Sequence, residues 1–261
     1  TEHPGVDRIT FTGESATGRA IATAAAANLT PVSFELGGKG ANLVFADADL
    51  DKAVGWSLKA IFTNAGQVCL AGSRLYVERS VHDEFLDRFV AAASALRCGD
   101  PRDPATEIGP LSSKTHYDKV TGHLDGIGAD GSRMLCGGPA GDGTWVVRPT
   151  VVTGAPEDSR LCREEVFGPV VTVAAFDSED EAVALANDTP YGLNAMLFTE
   201  NVRRAHRVAA RLRAGTVWVN CFFVRDLRAP FGGVGDSGIG REGGDFSREF
   251  CTEPKAVVME L

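Results

Sequence analysis

The sequence has no Cys-x-x-Cys pair, no long apolar run and no excess of basic charge, and each absence removes a class of function. Its six cysteines stand at 69, 98, 136, 162, 221 and 251. Cysteines so dispersed suit neither a zinc site nor a small disulfide framework, and fit reduced thiols in a cytoplasm. No stretch of about 18 apolar residues occurs, so no membrane-spanning helix is expected. No basic-then-apolar leader opens the chain. Lys and Arg number 26 against 35 Asp and Glu, a formal net charge of −9. A nucleic-acid partner, which needs a basic footprint, is therefore not expected. The five histidines (3, 82, 116, 123 and 206) form no recognisable Cys–His motif. His116 and His123 lie seven apart with no carboxylate or cysteine at ligand spacing, so they read as surface histidines and no metal site is expected.

What is present is ordinary for a globular protein. The 261 residues are 44% apolar and 23% charged, ample for one large domain or two small ones. Strand patterns at 8–12, 32–35, 42–45, 74–77, 133–136, 170–176, 195–199 and 216–220 alternate with helical patterns at 19–28, 50–62, 81–96, 114–126, 179–187 and 202–212. Such alternation predicts an α/β fold with a largely parallel sheet. The Gly-rich run 137–143 reads as an exposed turn, and 253–260 as a terminal strand. Two literal GxGxxG matches, starting at Gly233 and Gly238, neither follow a strand directly nor open a βαβ unit. They read as backbone turns.

Two stretches carry chemistry. Asn64-Ala65-Gly66-Gln67-Val68-Cys69 puts a thiol on a Gly-containing loop, where a turn can present it with its own N–H left free. Glu35-Leu36-Gly37-Gly38-Lys39 puts a carboxylate at the end of an apolar strand, where a double glycine permits close approach. Glu35 and Cys69 are 34 residues apart. A further strand, turn and helix surround Gly13 and Gly18, an arrangement that aims backbone N–H groups at a phosphate.

The two stretches together resemble the signature pair of the NAD(P)-dependent aldehyde dehydrogenase superfamily. Arg163-Glu164-Glu165-Val166-Phe167-Gly168-Pro169 is similar to a further element of that family, and Pro230-Phe231-Gly232-Gly233 to another. The resemblance implies a catalytic domain with a largely parallel sheet, a remnant of the Rossmann-like cofactor domain and a C-terminal oligomerisation strand. It divides the chain at 1–37, 38–238 and 239–261. It implies Cys69 as nucleophile and Glu35 as base, with Gly13, Gly18, Leu36, Glu165 and Phe167 around NAD (NADP not excluded). Glu165 would accept from ribose hydroxyls and Phe167 would flank the nicotinamide. Glu14 departs from the family's Ser and is expected to turn outward from a diphosphate or to bind a water or a cation. Glu242 resembles a residue that relays protons.

Between Asn220 and Pro230 lies the segment that lines the substrate in the family. Its Arg225 and Arg228, with the flanking residues, are similar to the 2-hydroxymuconic and 2-aminomuconic semialdehyde dehydrogenases, whose substrates carry a distant carboxylate. Guanidinium groups grip carboxylates, so an acidic aldehyde is expected. Arg225 and Arg228 are the expected substrate ligands, with Arg225 favoured by position and Arg228 the more structural of the two. The alternative is that one or both pair with Asp226 or a neighbouring subunit. A homodimer or homotetramer is implied. Thr1 at the start, and a family about twice this length, suggest the C-terminal portion of a longer protein. Two other readings stay open at this point: a cofactor-independent thiol esterase, and an inactive unit serving only in assembly.

Overall fold

The computed structural model describes residues 1–141 and 143–261. In chain order the elements are β1 (Ile9–Thr12), α1 (Ser15–Ala26), β2 (Val32–Glu35), β3 (Ala41–Val44), α2 (Leu50–Phe62), β4 (Arg74–Glu78), α3 (Arg79–Ala95), α4 (Lys114–Gly122), β5 (Arg133–Pro139), β6 (Val147–Thr153), α5 (Arg160–Arg163), β7 (Val170–Phe176), α6 (Glu179–Asn187), β8 (Asn194–Phe198), α7 (Val202–Arg211), β9 (Thr216–Val219), β10 (Gly238–Ile239) and α8 (Gly244–Cys251). Seven strands form one sheet in the order β5-β6-β7-β4-β3-β8-β9, parallel throughout except for β5 against β6. A second sheet orders β1-β2-β10, with β1 parallel and β10 antiparallel to β2.

The parallel sheet is buried on both faces because its strands are apolar at successive positions. Val44, Leu75 and Val77 point to the side covered by α2 and α3, where Ile61, Phe62, Phe85 and Phe89 complete one core. Leu43, Phe45 and Tyr76 point to the other side, where Ala182 and Val183 of α6 and Val208 of α7 complete a second. Asp49 starts α2 by accepting the Lys52 N–H, and the end of that helix delivers the chain to the Cys69 loop. No helix among the described residues is long and apolar enough to cross a membrane.

The structure departs from the sequence expectations in four places. First, β6 has no counterpart among the predicted strands, because Pro149 interrupts its run and proline cannot donate to a ladder. The sheet absorbs it with register shifts in β5 at Met134/Cys136 and Cys136/Gly138. Gly137 there has φ 98°, and a Cβ on it would sit 2.4 Å from the Pro149 carbonyl oxygen. Second, the Gly-rich segment expected as a turn therefore begins inside β5, which runs to Pro139; its residue Asp142 lies outside the described residues.

Third, the second GxGxxG match opens on β10 rather than on a turn. Gly238 pairs with Glu35 and Ile239 with Phe34, so residues 238–239 join the small sheet although they fall at the expected 238/239 boundary. Fourth, 244–251 is the helix α8, and residues 252–261 pair with no strand. A terminal strand needs a partner edge, and none among the described residues meets it. The tail is instead tied by the Arg8–Glu253 ion pair, with Arg8 also 5.3 Å from the Phe250 ring centre.

Candidate active site

Cys69 follows an abrupt end to α2. Asn64, Ala65 and Gly66 have φ of 53°, 54° and 72°, three successive left-handed residues that reverse the chain. Only the last is glycine. Asn64 holds the reversal through its side chain, which donates to the Gln67 carbonyl at 3.1 Å, while the Gln67 side chain donates back to the Asn64 carbonyl at 3.2 Å. A Cβ on Gly66 would lie 2.1 Å from the Gly168 carbonyl oxygen. The Cys69 loop is thereby locked against the Glu165–Phe167 loop.

Glu35 closes β2, and backbone bonds from Gly13 N–H to its carbonyl and from Leu36 N–H to the Ser237 carbonyl fix it on both sides. Beyond it, the double glycine meets the other loops directly. A Cβ on Gly37 would lie 2.3 Å from Glu165 Oε2, and one on Gly38 would lie 2.3 Å from the Cys69 carbonyl oxygen. At 38 the neighbour is a backbone atom, so only glycine permits the contact there. The Gly38 N–H donates to Glu165 Oε1 at 2.9 Å. Lys39 turns inward, fully covered, and burial lowers its ammonium to about 8.

These contacts bring Glu35, Leu36, Cys69, Glu165, Phe167 and Gly13 around one cleft of about 490 Å³, with Gln67, His116 and Lys119 also on its walls. Gly18 is placed differently. It lines a separate recess beside Leu36, and a Cβ on it would lie 2.8 Å from Leu36 Cδ2, so its smallness lets α1 pack on β2. Glu14 also lines the cleft and is paired there: Lys119 Nζ lies 3.3 Å from its Oε1.

Burial pushes the Glu35 carboxyl up to about 7, with the charge of Glu242 adding to the rise and Arg241 and Arg225 opposing it. Neither Glu35 oxygen has a hydrogen-bond partner among the described residues, so nothing holds the charged form except distant arginines. Burial pushes the Cys69 thiol up to about 11, and the carboxylates of Glu165 and Glu35 add to it, while the N–H groups of Cys69 and Leu70 favour the thiolate. Glu165 is likewise raised by burial, against the pull of the Gly38 N–H. Near neutral pH the thiol therefore keeps its proton, while the Glu35 carboxyl is divided between its two forms.

The two arginines separate. Arg228 is bound to Asp226, with Nη2 2.6 Å from Oδ2, and its side chain is 88% exposed. Arg225 makes no ion pair among the described residues and lies 4.8 Å from the Phe231 ring centre. Neither lines the cleft itself. Glu242 is tied by paired backbone bonds with Phe231.

Both histidines expected at the surface are elsewhere. His123 is buried, its Nε2 3.9 Å from Glu164, and burial lowers it to about 4. His116 lies on the cleft wall with its Nε2 2.7 Å from the Phe167 carbonyl oxygen. The signal for His116 was its spacing: it stands three residues before Lys119, one helical turn on the same face. Among the described residues no group of three His, Cys, Asp or Glu side chains could hold a metal ion.

Residues 1–257 match the family model described as "Aldehyde dehydrogenase family". The chain is 52% identical to the 2-hydroxymuconic semialdehyde dehydrogenase of Pseudomonas sp. (strain CF600), covering 100% of this chain and 55% of that one. It is 48% identical to a 2-aminomuconic 6-semialdehyde dehydrogenase of a Pseudomonas species, again with 100% of this chain covered and 54% of the relative. The crystal structure of PnpE in complex with nicotinamide adenine dinucleotide superposes with a TM-score of 0.93 at 48% identity, over 97% of this chain and 53% of that one. The chain thus spans about half the length of the relatives it matches. Over that span the chain belongs to the aldehyde dehydrogenase family.

Proposed function

We propose that this chain carries the reacting groups of an NAD-dependent oxidation of an aldehyde to a carboxylic acid. The observation that carries the proposal is the direct packing of Gly38 on the Cys69 backbone, which brings Glu35 and Cys69 to one cleft. The cleft fits the cofactor's nicotinamide riboside end. Gly37 lets the Glu165 carboxylate come close, Glu165 keeps Oε2 for vicinal hydroxyls once Oε1 is held by Gly38, and Phe167 gives an aromatic wall. When bound there, NAD would supply the acceptor for the aldehyde hydride.

The chain's own groups supply the rest. Cys69 Sγ forms a bond to the carbonyl carbon as its proton leaves through water to Glu35, which avoids a free thiolate in a site that disfavours one. The Cys69 N–H would donate to the resulting oxyanion. After oxidation Cys69 carries the acyl group as a thioester. Glu35 first gives up the proton it took from Cys69 and then, as carboxylate, takes one from water. The hydroxide oxygen bonds the acyl carbon, the C–S bond breaks, and Glu35 returns that second proton to the sulfur as the acid leaves. Glu242 is a route by which the proton leaves Glu35.

The substrate class is a semialdehyde with a remote carboxylate, with Arg225 as its ligand; Arg228 is committed to Asp226. The muconic relatives support this class. The enzyme is a cytoplasmic homo-oligomer in this reading, supported by the exposed apolar tail residues Val257, Val258 and Met259. Because the chain spans about half of its relatives, a second reading is that this span alone is inactive. Absorbance of NADH with a panel of aldehydes, using the full-length protein, tests the activity, and calorimetric titration of this span with NAD tests the second reading. Ester cleavage without NAD-dependent oxidation would contradict the proposal.

A further inference from the structure

Phe167 has φ 57°, a left-handed conformation that a residue with a Cβ adopts only where neighbours hold it. One neighbour is His116 of α4. Its Nε2 is 2.7 Å from the Phe167 carbonyl oxygen. A carbonyl only accepts, so Nε2 carries the proton in this contact. The two rings also meet edge to face, 5.8 Å between centres.

The helix behind His116 is itself anchored to the other walls of the cleft. Ser113 Oγ accepts the His116 N–H at 3.1 Å. The Ser112 N–H donates to Gln67 Oε1, on the Cys69 loop, at 3.0 Å. Lys119 reaches Glu14 on the far side. A Cβ on Gly168 would lie 2.8 Å from Val120 Cγ1, so α4 also packs directly on the residue that follows Phe167.

From this we infer that His116 is a positioning residue, which holds the strained Phe167 backbone so that its ring forms the nicotinamide-side wall of the cleft. The inference rests on the cofactor reading above for its consequence, but the hold on Phe167 is independent of any ligand. His116 takes no proton from substrate in this role. It acts through Phe167, and the hydrogen bond to the carbonyl is the part that matters.

The test compares His116→Ala and His116→Gln in the full-length protein, since the Gln amide can still donate to the Phe167 carbonyl. Amide hydrogen exchange of the peptide spanning 164–171, in protein without ligand, is expected to quicken about two- to tenfold in His116→Ala, as for loss of one hydrogen bond, and to return toward wild type in His116→Gln. Calorimetric NAD affinity is expected to weaken by a similar factor in His116→Ala and to recover in His116→Gln. Unchanged exchange in His116→Ala, or loss of NAD affinity to the same degree in both variants, would overturn the assignment. A wild-type protein that binds no NAD would overturn the cofactor reading instead, while the exchange comparison would still decide whether His116 holds Phe167.

Discussion

The carboxylate of Glu35 helps keep the proton on Cys69, two residues 34 apart in sequence that line one cleft. Burial is the larger cause, and the Glu165 carboxylate adds more than Glu35 does. With the thiol near 11, on the order of one molecule in a thousand carries a thiolate at pH 8. Alkylation of Cys69 by iodoacetamide should therefore keep accelerating well above pH 9. In Glu35→Gln the thiol loses a neighbouring charge, and alkylation at pH 8 should quicken by about two- to tenfold. Peptide mass spectrometry locates the modified cysteine. A rate already level by pH 8 would contradict the burial argument.

Glu35 also makes stability depend on pH. Its carboxyl is near 7 in the fold against an ordinary value of 4.5, so between those values the folded chain binds more protons than the unfolded one. Stability then falls as pH rises from 4.5 through 7, and the whole loss is present above 7. Glu35→Gln removes it. The variant should be more stable than wild type at pH 8 by up to about 3 kcal/mol, and nearly equal to it at pH 4. Urea denaturation at both values measures this. Equal stabilities at pH 8 would show that the carboxylate has water or partners in solution.

Gly38→Ala tests the contact between the two motifs. The new methyl would stand 2.3 Å from the Cys69 carbonyl oxygen, a backbone atom that cannot swing away. A loss of about 1–3 kcal/mol is expected, together with slower acylation of Cys69. Gly55→Ala, with nothing within 4 Å of the added atom and an interior position in α2, should be neutral or stabilising. Thermal melts of the two variants provide the comparison, and similar melting temperatures would contradict it.

Arg225→Ala should raise KM for a carboxylated semialdehyde by about ten- to 150-fold, the effect of one charged hydrogen bond, while leaving a neutral aldehyde nearly unaffected. Arg228→Ala should do neither, because its guanidinium is already bound to Asp226 at the surface. Steady-state kinetics on the two aldehydes separate these outcomes. Equal losses on both substrates would remove Arg225 from the substrate site.

Most of the parallel sheet was legible in the sequence, because its strands are short apolar runs separated by amphipathic helices such as α2, whose bounds coincide with the expected 50–62. That Glu35 and Cys69 line one cleft was legible only through the likeness of their two stretches to one family's signature pair. What was not legible depended on partners far away in the chain. The strand around Pro149 needs the bulge at Gly137, and β10 exists only because β2 offers an edge. His116 read as a surface histidine, and only the fold shows that its helix lines the cleft. The tail at 252–261 shows the converse limit, since an apolar β-rich run forms no strand without an edge to meet.

The central claim is that one thiol and one carboxylate act in sequence on a single carbonyl. Rapid-mixing measurement of NADH absorbance tests it, with wild type, Cys69→Ala and Glu35→Gln of the full-length protein at saturating aldehyde and NAD. The account predicts no NADH from Cys69→Ala, and from Glu35→Gln one equivalent of NADH per site followed by turnover slowed at least a hundredfold, roughly the contribution of a general base. NADH formation by Cys69→Ala at the wild-type rate, or undiminished steady turnover by Glu35→Gln, would contradict it.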